Sequence, residues 1–176
     1  QDLYSMEKWT PGTKRAVIVG GGLIGIEMAE MFLSRGILVS MLVRESTFWG
    51  SVLPREESQI INQHIADHHI ELLLETELHE ILPDANGRVC AILTKTGLKV
   101  ECEFVGLAVG VKPNIDFLKS TNIQVNRGIL VNSTNQTNIT NVYAIGDCAE
   151  FISPATDRSP LEQVWYTAKM QAHTLA

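Results

Sequence analysis

The sequence is poor in features that would settle a chemistry at once. Cysteine occurs three times, at Cys90, Cys102 and Cys148, and never in CxxC spacing. That excludes a disulfide framework and a cysteine-ligated zinc site. Basic residues are outnumbered, 14 Lys and Arg against 20 Asp and Glu, for a net charge of −6. No nucleic-acid footprint is expected from such a balance, because binding phosphate backbone needs a clustered basic surface. No apolar run approaches the roughly 18 residues needed to cross a bilayer. The first residues, Gln1 to Glu7, lack a basic flank followed by an apolar stretch, so no signal peptide is visible and a cytoplasmic location is expected. The three N-x-[ST] matches at Asn132, Asn135 and Asn138 then read as accidents of an Asn/Thr-rich loop. There is no HExxH, no GxSxG elbow and no Ser/His/Asp order. His64 and His68 share a helix face with His69 beside them, but a third ligand is wanting, so no metal site is expected.

What remains is an ordinary globular composition, 45% hydrophobic and 19% charged over 176 residues, enough for one domain or slightly more. The chain begins without Met, which suggests a processed product or a piece of a longer protein. Thirteen glycines, several of them clustered, point to turns that cradle phosphate rather than to linkers.

Periodicity gives a coarse plan. Ala16 to Val19 is a short continuous apolar run ending in glycines, as in a strand buried on both faces. Ile24, Met28, Met31 and Phe32 recur at helical spacing through Arg35, and Gly36 stops the helix. Leu38 to Val43 is a second strand, so the pair forms a parallel crossover unit. A further helix opens at Pro54 and Glu56-Glu57 and runs to His68, with His69 in a left-handed cap before a strand over Ile70 to Leu74. Leu78 to Leu82, Val89 to Leu93 and Leu98 to Glu103 form an antiparallel meander, the first two joined by a turn with Asn86-Gly87. Phe104 to Ala108 returns as a strand into the Gly110–Asn114 turn. Ile129 to Val131 and Val142 to Ile145 are later strands, and Leu161 to Leu175 is the last helix.

Val19 to Gly25 holds GxGxxG at Gly20, Gly22 and Gly25, between a predicted strand and a predicted helix. Gly20 permits the tight turn, Gly22 lets backbone approach a pyrophosphate, and Gly25 lets helix and strand pack closely. The N–H groups of the helix start and its positive end then favour an anion. Gly21, Leu23 and Ile24 complete the candidate loop. At the end of the second strand, Val43 stands where an acid would bind the ribose of NAD, with Arg44 and Glu45 next. Arg44 favours NADPH, because a guanidinium matches phosphate in a fork geometry. Glu45 offsets that charge or takes the ribose itself.

Val19 to Glu30 resembles the nicotinamide-binding motif of the FAD-dependent pyridine nucleotide-disulfide oxidoreductases. The helix, VxLVxR-type strand, meander and GxxPN turn, here Gly110-Val111-Lys112-Pro113-Asn114, follow in that family's order. Thr140 to Asp147 resembles its second flavin motif, in which a buried strand delivers an Asp to the FAD ribityl chain. The resemblance implies an α/β chain: a Rossmann-like three-layer sandwich with an antiparallel meander, plus the C-terminal half of an FAD-binding Rossmann-like domain. It divides residues 1–13 as a linker, 14–113 as the NAD(P)-binding domain and 114–176 as flavin-domain sequence. By the same match Asp147 is the flavin ligand, with Gly146 giving the close approach. Val109 and Gly110 join the nicotinamide side, and Glu27 is the acid near the nicotinamide or a plain first-turn Glu. Trp165 stands beside the flavin ring or is a core aromatic. Leu23 replaces the aromatic that some members place over the flavin.

The cofactors implied are FAD and NAD(P)H, and the partner is an unidentified electron acceptor; a homodimer is allowed. Nitrite reductase-like, rubredoxin or ferredoxin reductase-like and oxidase-like branches share these motifs. No catalytic residue is identified, and Cys148, lacking a partner thiol, reads as a buried small apolar residue. The competing reading is a nucleotide-sensing Rossmann module without turnover; such a sensor has no reason to carry Thr140 to Asp147. A dehydrogenase acting on a bound alcohol or acid would need a His or Tyr/Lys acid–base set, and none is convincing.

Overall fold

The computed structural model describes residues 2–155 and 159–176. Gln1, within the expected linker, and residues 156–158, within the expected flavin-domain stretch, lie outside the described residues. The chain divides into two compact units between Gly110 and Val111.

In the first unit, β1 (Arg15–Val19), β2 (Leu38–Leu42), β3 (Ile70–Leu73) and β7 (Phe104–Leu107) form one parallel sheet in the order β3-β2-β1-β7. Alternation along β1 explains the layering. Ala16 and Ile18 face a helical layer made by α2 (Leu23–Leu33) and α3 (Arg55–Asp67), where Ala29, Phe32 and Ile65 are buried. Val17 faces the other way, with Leu42, onto Ile92 and Cys102 of the meander β4 (Leu78–Pro83), β5 (Val89–Thr94) and β6 (Lys99–Glu101). A strand buried on both sides must be apolar throughout, which is why RAVIV shows no polar alternation.

Chain breaks follow local chemistry. After α2 the N–H of Ile37 donates to the carbonyl of Phe32 (3.1 Å) and that of Gly36 to Leu33 (2.8 Å), a Schellman closure that needs the left-handed Gly36 (φ +71). His69 takes the same conformation (φ +63) after α3. The β4–β5 turn is wider than a two-residue hairpin, because Asp84 Oδ1 accepts the N–H of both Asn86 (2.8 Å) and Arg88 (2.9 Å). Glu103 fastens the start of β1: its Oε2 accepts the N–H groups of Lys14 (3.0 Å) and Arg15 (2.8 Å). Burial pulls that carboxyl upward, but these bonds and the Arg15 guanidinium outweigh it and hold it below its ordinary value.

Several elements differ from the expectation. The residues expected as a linker form α1 (Asp2–Trp9), whose Met6 packs on the helix-side core. Ile24, placed on the buried stripe of α2 by its spacing, is 47% exposed, because Gly25, Ala29 and Phe32 carry the contact instead. Cys90 is exposed on β5, where its thiol reaches the Leu82 carbonyl (3.4 Å), whereas Cys102 is fully buried and its thiol is pushed up to about 11 by burial.

The second unit is built on a short parallel pair, β8 (Ile129–Val131) with β9 (Ala149–Phe151). Val142 to Ile145 is not a strand. Its backbone makes only a single bridge, Gln136 to Tyr143, flanked by bonds from Thr137 N–H to the Val142 carbonyl and from Ala144 N–H to the Asn135 carbonyl. Left-handed residues at Asn135 (φ +62), Asn141 (φ +65) and Gly146 (φ +74) reverse the chain too often for a ladder to grow. The last helix, α4 (Trp165–Leu175), starts four residues later than expected, because Phe151 N–H donates to Pro160 and Leu161 bridges Glu150, keeping 160–161 extended.

Candidate functional site

The carboxyl ends of β1, β2 and β7 open into a cleft of about 710 Å³ in the first unit. A cleft at that edge of a parallel sheet is where α/β folds bind ligands, and the volume lies within the range of small-molecule sites. Its floor is Val19 to Gly22. Gly20 (φ +116) has no room for a side chain, since a Cβ there would meet the Ala108 carbonyl, its carbon at 2.8 Å. A Cβ on Gly25 would strike the Gly20 carbonyl, so helix α2 sits directly on the turn. Gly22 differs: it caps α2 in an extended conformation, and a Cβ there meets nothing within 4 Å. Two glycines are therefore demanded by packing, and the third leaves open space at the helix start, where N–H groups have no intrahelical partner.

Beneath Gly21 lies Val43, 1% exposed, its methyls 3.0 and 3.1 Å from where a Gly21 Cβ would sit. Val43 thus supports the floor from the core. Arg44 and Glu45 follow on the cleft wall, paired through Arg44 Nε and Glu45 Oε1 at 2.9 Å. The Arg44 bond holds the Glu45 carboxyl below its ordinary value, and the same bond raises the guanidinium further. The backbone of this segment is pinned, with Thr76 N–H on the Val43 carbonyl and Glu75 N–H on the Glu45 carbonyl, both 3.0 Å. Val109 and Gly110 close the cleft after β7.

Among the expected nicotinamide-side residues, the fold brings Gly20, Gly21, Gly22, Arg44, Glu45, Val109 and Gly110 to one cleft. Leu23, Ile24 and Glu27 lie outside its lining, exposed on the first turns of α2. Residues that sequence reasoning missed also line it: Trp49, Ser51, Val52, Thr76, Glu77 and Leu78. Trp49 is held at φ +56 and stacked on the buried Phe48, ring centroids 5.5 Å apart, while Phe48 N–H donates to Asn62 Oδ1 (3.0 Å). The legible signal was the pair Phe48-Trp49 inside a loop, where no strand or helix period requires two aromatics.

In the second unit, Asp147 is exposed on the one-turn 3-10 segment Gly146–Cys148, and no described residue bonds to its carboxylate. The expectation of a carboxylate delivered by a buried strand is corrected here, since the preceding residues form no strand and the turn carries Asp147 outward. The unit's buried carboxylate is Glu150 (6% exposed), which accepts Asn126 Nδ2 (2.9 Å) and Gly128 N–H (2.7 Å). Gly146 N–H donates to Gln171 Oε1 of α4 (2.7 Å), which locks the turn to that helix. Trp165 is 66% exposed, edge-on to Tyr166 with Lys169 Nζ 5.1 Å from its ring, so it is not a core aromatic. Cys148 is half-buried rather than enclosed. Among the described residues no group of three His, Cys, Asp or Glu could hold a metal, and no helix is long and apolar enough to cross a membrane.

Known proteins share this plan. The chain is 35% identical over 137 residues to nitrite reductase [NAD(P)H] of Bacillus subtilis, covering 78% of this chain and 17% of that protein. It is 32% identical over 150 residues to the nitric oxide reductase FlRd-NAD(+) reductase of Salmonella schwarzengrund, covering 85% of this chain and 39% of that one. Among solved structures, the ferredoxin reductase for the CYP199A2 system of Rhodopseudomonas palustris superposes with a TM-score of 0.86 at 24% identity, over 98% of this chain and 42% of that one. Putidaredoxin reductase, solved in covalent complex with putidaredoxin, gives 0.82 at 25% identity, over 92% and 39%. The chain thus spans less than half the length of these relatives. Residues 2–172 match the family model described as pyridine nucleotide-disulphide oxidoreductase, whose members use FAD with NAD(P)H, and the chain belongs to that family.

Proposed function

We propose that this chain is the NAD(P)H-binding portion of a cytoplasmic FAD-dependent oxidoreductase that takes reducing equivalents from NAD(P)H and passes electrons to a separate acceptor of the ferredoxin or rubredoxin class. The observation that carries the reading is the glycine floor. Gly20 and Gly25 are required by packing, yet Gly22 faces open space at a helix start, an arrangement suited to a pyrophosphate. Here Gly21 and Gly22 lie against the diphosphate, with the N-terminal end of α2 supplying uncompensated N–H groups. Arg44 and Glu45 take the adenosine ribose, and Val109 and Gly110 border the nicotinamide end, with Glu27 beyond. The donor set fits a dinucleotide: backbone N–H groups for the anion, a paired charge for the sugar, and Trp49 and Val52 as apolar wall.

On the second unit, Gly146 and Asp147 are what the chain offers to FAD. An exposed carboxylate with no partner among the described residues suits a ribityl hydroxyl, and Trp165, exposed on the next helix, stands available to an aromatic ring. Bound FAD would supply the coupling between two-electron and one-electron transfer; this chain's residues bind and orient. The three free thiols agree with a reducing compartment. Relatives named for nitrite, nitric oxide and ferredoxin systems support an electron-transferring role.

Calorimetric titration of the full chain with NADH and NADPH tests the nicotinamide reading. Binding of at least one, with a dissociation constant below about 1 mM, is expected. Absence of binding by both at millimolar nucleotide would refute it.

A further inference from the structure

The Arg44 side chain, taken from sequence alone, invites a 2′-phosphate. Its surroundings argue the other way. Nε is spent on Glu45 Oε1 (2.9 Å), and Glu45 cannot swing away with its backbone, whose carbonyl holds the Glu75 N–H. The second carboxylate of the cleft, Glu77, is matched in turn by Lys95 Nζ at 2.8 Å. Each positive charge at this end of the cleft therefore already faces a negative one. A phosphate bearing close to two negative charges finds no net positive field there and meets the Glu45 carboxylate beside Arg44, the only guanidinium lining the cleft among the described residues. A ribose 2′-hydroxyl, by contrast, finds an ionised acceptor held in place.

We propose that the Arg44–Glu45 pair sets this cleft for NADH over NADPH, with Glu45 as the specificity-determining residue. The proposal rests on the nicotinamide reading above and goes further, because it names the dinucleotide and the residue that selects it. Discrimination here works by exclusion: Glu45 masks Arg44 and repels the extra phosphate. Arg44 is largely exposed and Glu45 only half-buried, so the pair's own contribution to folding stability is small. Its effect is on the ligand, whose charge is greater.

A mutant cycle tests it by calorimetry of the full chain with each nucleotide. Wild type is expected to bind NADH at least about tenfold more tightly than NADPH. Glu45→Gln, which keeps the shape and removes the charge, is expected to lower that ratio at least about fivefold. Arg44→Ala is expected to cost NADPH affinity at least about fivefold more in the Glu45→Gln background than alone, because only there is the guanidinium unmasked. Equal or tighter NADPH binding by wild type overturns the proposal, as does an Arg44→Ala cost that is the same in both backgrounds. Those outcomes leave NADH binding in place and so are distinct from failure of the nicotinamide reading, in which neither nucleotide binds. Circular dichroism of each variant separates a lost fold from a changed preference.

Discussion

At the scale of single residues, the three motif glycines do different jobs, and substitution separates them. Gly20→Ala must force a Cβ into the Ala108 carbonyl while keeping φ at +116, a clash and a strained backbone together. It is expected to lower the unfolding free energy by more than about 2 kcal/mol in urea titration. Gly22→Ala meets nothing within 4 Å and keeps an ordinary extended φ of −88, so its stability cost is expected to stay under about 1 kcal/mol. Its methyl instead fills the space proposed for the diphosphate, and nucleotide affinity is expected to fall at least about tenfold. A Gly22→Ala protein that binds NADH as tightly as wild type would show that the cradle lies elsewhere. The motif was legible in the sequence, but this division was not, because spacing says nothing about which Cβ would meet a carbonyl and which would meet solvent. Val43 makes the same point. It stands at the expected acid position, yet it is core, and only its neighbours reach the cleft.

At the scale of elements, much of the first unit was readable because β1 and β7 are continuous apolar runs and because Gly36 and the left-handed His69 mark where the helices stop. The parallel order and both packed faces follow from that pattern. The second unit was not, and its strands show why. β8 and β9 have three residues each, too short for any period, and Val142 to Ile145 looks more strand-like than Ala149–Phe151. What decides is Glu150, a charged residue inside β9 that a reading of apolar runs rejects. Its carboxylate is buried and collects Asn126 Nδ2 and Gly128 N–H, joining β9 to the approach into β8. Gly128 itself has no room for a Cβ, with the Cys148 carbonyl 2.7 Å away. Glu150→Ala leaves the buried Gly128 N–H without a partner and frees the exposed Asn126 amide to solvent, at a cost of about 1–3 kcal/mol. In amide exchange, β8 and β9 are expected to lose protection while β1 and β2 keep theirs. Equal loss in both sheets would mean that the second unit's order is not held by this carboxylate.

At the scale of the whole molecule, the two units are unequal in what they bury. The first has eleven fully packed core residues on the helical side of its sheet and four on the meander side, whereas the second gathers Val131, Ala144 and Ala149. A small core in a short stretch of chain is marginal, since a piece of about 60 residues buries only about 60% of the surface its unfolded chain exposes. All residues lining the cleft proposed for the nucleotide fall between Val19 and Gly110, inside the first unit. These facts together predict that residues 1–110, expressed alone, fold cooperatively and bind NADH with a dissociation constant within about threefold of the full chain, a difference below about 0.7 kcal/mol. Residues 111–176 alone are expected to give no cooperative thermal transition, because the few buried apolar side chains among its described residues cannot offset the ordering entropy of some sixty residues. The measurement is calorimetric: one unfolding endotherm and saturable NADH binding for the first piece, neither for the second. Loss of NADH binding by a folded 1–110 piece would show that the cleft residues of the first unit do not suffice for binding.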